Sequence, residues 1–153
     1  MTVRFERTTE LAAAITDAFD VSLDVDIHMK SFEDSGERAI GGVQAGGMVL
    51  GDDVTWRARH FGIWWTMTST ITEFDRPNMF VDEQKKGPFK RFVHRHTFVD
   101  NGDGTTKMTD TIEFDAPLGP LGRIAERVAL RRYLPILIDK RNDELRSHFA
   151  TRG

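Results

Sequence analysis

The 153-residue chain contains no cysteine. That excludes disulfide frameworks, thiolate metal centres and cysteine nucleophiles, and it suits a reducing, cytoplasmic setting. Tyrosine occurs once, at Tyr133, and proline only five times. Long apolar runs are missing too: Leu11-Ala12-Ala13-Ala14-Ile15 is far too short to span a bilayer, so no stable membrane insertion is expected. The first residues, Met1 to Arg7, carry no apolar signal segment. There is no excess of positive charge. The formal net charge is −3, which argues against generic nucleic-acid binding. Gly-x-Ser-x-Gly, Gly-x-Gly-x-x-Gly and P-loop motifs are all absent. The Gly-rich stretch 41–47 is not followed by a phosphate-binding helix and reads as a turn.

What is present is an ordinary globular composition, 39% hydrophobic and 29% charged, enough for one domain over residues 1–153. Acidic residues outnumber basic ones in residues 1–54, and the reverse holds in 118–153. Both read as solvated faces, in a monomer or a homodimer.

Residues 2–7 alternate and predict a first strand. Thr8 or Thr9 is placed to cap a short helix over 12–19, and residues 20–32 read as a second short helix or a loop. From Arg38 the period changes to two. Strands are predicted over 38–42, 48–61, 63–75, 79–86, 89–100 and 105–115, separated by Phe61-Gly62, Arg76-Pro77-Asn78, Gly87-Pro88 and Asn101-Gly102-Asp103-Gly104. The last of these lacks the closing glutamate of a calcium loop and reads as a hairpin. The sheet ends in Ala116-Pro117-Leu118-Gly119-Pro120-Leu121-Gly122. A long amphipathic helix follows, roughly 121–149, with Leu121, Ile124, Ala125, Val128, Leu134, Leu137, Ile138, Leu145 and Phe149 on one stripe. Pro135 inside it predicts a kink.

Period two also sorts the side chains. One face of each strand is rich in Thr, Lys and Arg and reads as solvent-facing. The opposite faces are apolar and aromatic, yet they carry His60, Glu73, Asp82, His94, His96 and Asp110. Buried ionisable groups must be paired or shift their pKa. Register across the Asn101–Gly104 turn sets His94, or His96 after a two-residue shift, near Asp110. Register across Gly87-Pro88 sets Asp82 near His94. These residues form an expected polar cluster of Asp82, His94 and Asp110 with His96 beside it. A satisfied core network is the plain alternative. His94-Arg95-His96 also has the i, i+2 spacing that lets two imidazoles chelate a metal, with Asp110 and His60 to complete the set. No third ligand follows at a close fixed spacing, so neither a metal nor any other cofactor is assigned from the sequence.

Several segments together resemble the START and birch-pollen-allergen superfamily, and within it the polyketide cyclase/dehydrase and lipid-transport-like branch. They are Val54-Thr55-Trp56-Arg57-Ala58-Arg59-His60-Phe61-Gly62, Ile71-Thr72-Glu73, Phe80-Val81-Asp82-Glu83-Gln84, Gly87-Pro88-Phe89, His94-Arg95-His96-Thr97-Phe98, Met108-Thr109-Asp110 and the Pro117–Gly122 stretch. The resemblance implies an α+β helix-grip fold. A curved antiparallel sheet of about seven strands would wrap around a long C-terminal helix, with two short helices after the first strand. Three features depart from the family pattern: no proline precedes the first helix, Pro135 interrupts the last, and tyrosine is scarce.

The resemblance also implies a cavity between sheet and C-terminal helix that holds a small hydrophobic molecule, such as a lipid, polyketide or aromatic. The expected lining is Trp56, His60, Trp65, Met67, Phe80, Phe92, His94, His96, Met108, Asp110 and Val128. The alternative is a cyclase or dehydratase in which His94 is the base and Asp110 or Asp82 orients it.

Overall fold

Alternating strands joined by glycine-bearing turns build most of the molecule. The computed structural model describes residues 2–116 and 125–150, and the side chains of all of these except 125–129. The order is β1 (Thr2–Leu11), α1 (Ile15–Ser22), α2 (Val25–Ser31), a 3-10 turn (Glu33–Ser35), β2 (Arg38–Gly42), β3 (Asp53–His60), β4 (Ile63–Asp75), β5 (Met79–Lys86), β6 (Arg91–Asp100), β7 (Thr106–Asp115) and α3 (Ala125–Ala150). The strands form one curved antiparallel sheet in the order β1-β7-β6-β5-β4-β3-β2. With α3 and the two short helices this is the expected helix-grip fold.

Several local expectations are corrected. β1 runs on to Leu11, because β7 offers a partner at every step as far as Leu11 opposite Thr106. Thr8 and Thr9 therefore sit in the ladder, and α1 starts after Ala14 with no side-chain cap. α2 is capped instead by Asp24, whose carboxylate accepts from the Ile27 N–H at 3.1 Å. Residues 48–52 are not strand. Their loop is tied to the α1–α2 corner by Met48 N–H to Leu23 O (3.3 Å), next to Val25 N–H to Gly46 O (2.9 Å). The predicted start of the last helix and the Pro117–Gly122 motif lie outside the described residues. Pro135 does not end α3, although it leaves the Arg131 carbonyl without its helical donor.

Glu73, placed inside by strict alternation, is 54% exposed in its side chain and pairs with Arg95 at 3.3 Å. The cause is a bulge. Ile71 faces Asp82 but Glu73 faces Val81, so Thr72 is an extra residue and the phase of β4 inverts beyond it.

The β3–β4 turn puts both central residues in the left-handed region, Phe61 at φ 54° and Gly62 at φ 74°. His60 and Ile63 pair directly across it, the geometry of a type I′ turn that favours Asn or Gly at its first position. Phe61 is strained there and 58% exposed. Phe61→Asn is expected to raise stability by about 1 kcal/mol, less the value of the Phe61–Tyr133 ring contact at 4.6 Å. Urea denaturation measures the sum, and a lower midpoint would mean that the ring contact outweighs the strain.

The core divides in two. One cluster centres on Leu11, Phe19, Leu23, Val54, Ile71, Phe80, Phe98, Met108, Leu145 and Phe149. The other holds Val3, Ile112, Phe114, Leu134 and Ile138, with Phe89 and Phe92 against it.

Candidate functional site

Between the two apolar clusters lies a polar layer. β7 runs Met108, Asp110, Ile112; β6 runs Phe98, His96, His94, Phe92; α3 runs Leu145, Asn142 and Arg141, Ile138. Each element leaves one apolar cluster, contributes ionisable or amide side chains, and enters the other. The sheet register explains the meeting. Asp82 faces His94 across β5–β6, and His96 faces Asp110 across β6–β7. Strand alternation turns all four to the same side.

Asp110 is the hub and is 0% exposed. One carboxylate oxygen lies 2.8 Å from His94 Nε2 and accepts from Arg141 Nη1, also at 2.8 Å. The other accepts from Asn142 Nδ2 at 2.9 Å. Asp82 Oδ2 lies 2.7 Å from His96 Nε2 and 4.0 Å from His94 Nδ1. The His94 and His96 rings stack at 3.7 Å, and Phe80 stacks on the outer face of His96 at 4.0 Å.

These contacts set the protonation. Burial opposes the Asp110 charge. The Arg141 guanidinium and hydrogen bonds to the two histidines outweigh it and hold the carboxyl well below its usual range. Asp82 is likewise opposed by burial but lowered by the hydrogen bond to His96 and by His94, His96 and Arg141. His94 is pushed down to about 4, by burial first and by His96 second, against the pull of both carboxylates. At neutral pH His94 is therefore neutral. The ionised Asp110 can only accept, so His94 Nε2 carries the proton and Nδ1 keeps its lone pair.

His94 is part of the wall of a cavity of about 70 Å³. Its walls are the α1–α2 corner (Ser22 to Val25), His28, Met48, Val54, Trp56, Ser69, Ile71, Phe80, Asp82, His94, His96 and Arg141. Among the described residues the lining comes mainly from the sheet and the short helices, with Arg141 from α3. The expected place between sheet and C-terminal helix is met in part: the sheet and Arg141 of α3 line the space, and the short helices add a further wall. The short helices cover the sheet face that α3 leaves free.

Of the sequence-derived residues, Trp56, Phe80, Asp82, His94 and His96 line the space. Asp110 stands behind them. Met108 is buried in the first core cluster, where the Ser22 hydroxyl donates to its sulfur at 3.5 Å. Phe92 packs in the second cluster, and Met67 lies against Gly87. His60 is bonded through Nδ1 to the Tyr133 hydroxyl at 2.7 Å, and its carbonyl accepts from Trp65 Nε1 at 3.0 Å. That pair sits at the far end of β3, away from the cavity. Burial first and Lys140 second lower the His60 pKa, against Glu37. The Val128 side chain is outside the described residues.

Sequence reasoning missed Arg141, Asn142 and His28. The signal for the first two was a gap. The apolar stripe of α3 skips from Ile138 to Leu145, and the missing turn is filled by the polar pair. His28 stacks on Trp56 at 4.2 Å and lies 3.2 Å from the buried Glu37 carboxylate.

The family model described as polyketide cyclase / dehydrase and lipid transport matches residues 2–150. The chain belongs to this family. Solved structures share the family's fold at low identity. A START superfamily protein from Mycobacterium smegmatis has TM-score 0.74 at 11% identity, over 98% of this chain and 99% of that one. The Zhui aromatase/cyclase from Streptomyces sp. R1128 has TM-score 0.70 at 15% identity, over 99% and 96%. Ginseng major latex-like protein 151 from Panax ginseng has TM-score 0.68 at 13% identity, over 97% and 98%. No curated protein matches. Ligand binding and polyketide cyclase activity are both consistent with membership of the family. Among the described residues no helix is long and apolar enough to cross a membrane.

Proposed function

We propose that this protein binds a small hydrophobic molecule bearing a hydroxyl group, with the apolar body against Trp56, Ile71 and Phe80 and the hydroxyl donating to His94 Nδ1. The observation that carries the reading is that His94, left with an acceptor at Nδ1 by its hydrogen bond to Asp110, lines the same cavity as Trp56, Ile71 and Phe80. At about 70 Å³ the space fits roughly two water volumes, or the head of such a molecule. A larger body would displace the α1–α2 corner. Family membership and the similarity to the aromatase/cyclase support the same class of ligand.

A second reading, acid–base catalysis of cyclisation or dehydration, is favoured by the Asp110–His94 pairing alone. Its cost decides the ranking. A base near pKa 4 lies about three units below the working pH, roughly 4 kcal/mol uphill for full proton transfer compared with a matched base.

The test is Trp56 fluorescence, with 2-naphthol and decanol as probes and naphthalene as the control without a hydroxyl. Saturable quenching by the hydroxylated probes is expected. It should be abolished by Ser69→Leu, which fills the cavity from β4 without touching the polar layer. Equal binding of naphthalene, or binding that survives Ser69→Leu, would refute the proposal.

A further inference from the structure

We propose that Asp82, His94 and His96 form a site for a first-row divalent transition-metal ion, of the two-histidine, one-carboxylate kind. The three side chains each offer one ligand atom, and these atoms lie within 4.8 Å of one another. They come from two paired strands. His94 and His96 project to one side of β6 at i and i+2, and Asp82 faces His94 from β5. Rigid ladder positions of this sort hold ligands better than loop positions do.

The outer partners supply the stronger argument. A metal-ligating imidazole normally donates its other N–H to a carboxylate, which fixes the ring and raises its basicity. Here one oxygen of Asp110 lies 2.8 Å from His94 Nε2 and 3.3 Å from His96 Nδ1. That oxygen takes the outer proton of His94, whereas His96 Nδ1 accepts from Arg141 Nη2 at 3.3 Å, because a guanidinium only donates. His94 Nδ1 thus keeps its lone pair 4.0 Å from Asp82 Oδ2, and His96 Nε2 holds a proton that it donates to the same oxygen at 2.7 Å. An ion among the three side chains would displace the proton between His96 and Asp82 and take His94 Nδ1, His96 Nε2 and Asp82 Oδ2 as ligands. Arg141 and Asn142 hold Asp110 from behind. The layer holds two carboxylates and one guanidinium, a negative excess that a divalent ion reverses. The adjoining cavity leaves room for waters or a ligand oxygen at the open positions.

Imidazole with carboxylate suits iron, cobalt, nickel, copper or zinc better than the all-oxygen preference of calcium and magnesium. The inference goes beyond the binding reading and changes it at one atom: with the ion on His94 Nδ1, the ligand's hydroxyl oxygen would coordinate the ion instead of donating to the ring. It does exclude the general-base reading, because the ion occupies His94 Nδ1.

The experiment is titration of chelator-stripped full-length protein with Co²⁺, read by visible absorption and calorimetry. One ion per chain, with d–d bands and micromolar or tighter affinity, is the expected result. Asp82→Asn and His94→Gln should each weaken it at least tenfold, whereas His28→Gln, which removes a different histidine of the same cavity, should leave it unchanged. Should a variant fail to fold, the wild-type imidazole NMR signals decide: Co²⁺ should shift those of His94 and His96 first. Absence of binding up to 100 μM Co²⁺, affinity undiminished in folded Asp82→Asn, or shifts confined to other histidines would each overturn the proposal. None of these outcomes touches the hydroxyl-ligand test, which is read through Ser69→Leu.

Discussion

Arg141→Met is expected to destabilise the fold by about 3–5 kcal/mol, the range for removing one partner of a buried ion pair. Methionine fits the space and keeps the helix propensity, so the loss is electrostatic. It leaves Asp110, which has no exposed surface, with Asn142, the neutral His94 and His96 as its remaining partners, and no guanidinium. The second arm makes the cause specific. Asp110→Asn in the Arg141→Met background should recover most of the loss, because the uncompensated charge is gone. The two single variants and the double variant form a cycle with a coupling of at least about 2 kcal/mol. Urea unfolding followed by circular dichroism gives all four values. Additive effects would mean that Arg141 acts by packing rather than by charge.

Acid should destabilise the metal-free protein well above the usual carboxylate range. His94 titrates near its ordinary value of about 6.5 when unfolded, and at about 4 when folded. Between those values the unfolded chain binds the extra proton, so stability rises with pH and is lost as pH falls. The 2.5-unit difference corresponds to about 3 kcal/mol across that window. Asp82 and Asp110, both lowered by their cationic and hydrogen-bonding partners, act in the same direction. Their contribution is present above the unfolded carboxylate value and lost below it, so the decline continues under pH 4. His94→Gln should flatten the profile between pH 6.5 and 4 and leave the lower limb in place. An unchanged slope in that variant would show that another group sets the acid response.

Much of the architecture was legible because turn chemistry and alternation are local. Gly87-Pro88 and Asn101–Gly104 allow few registers, and those registers bring Asp82 opposite His94 and both histidines within reach of Asp110. What escaped was non-local or aperiodic. A single extra residue, Thr72, turned Glu73 outward, and no propensity marks a bulge in Ser-Thr-Ile-Thr-Glu. Residues 48–52 look like strand, but Gly47 bridges to Asp24 and the loop serves the helix corner instead. Arg141 and Asn142 were passed over because an amphipathic helix is recognised by its apolar positions. The polar layer shows only as a missing turn in the stripe, and it acquires meaning once β6 and β7 are placed against it. The share of the short helices in the cavity wall escaped for a related reason: where two short helices dock on a sheet is decided by packing that no local window contains.

The 31 residues separating Asp110 from Arg141 also have a meaning in time. At translation rates of about 5–20 residues per second, the arginine leaves the ribosome roughly 2–6 s after the aspartate. In that interval β7 can pair with β6, and β1, made more than a hundred residues earlier, can at last find its partner. The sheet is then complete while its inner face still carries a carboxylate with no guanidinium to meet it. Burying that face early would strand the charge, so the nascent domain has a reason to keep its core hydrated until α3 arrives. On this order of synthesis, Asp110 meets its guanidinium only when α3 reaches the sheet.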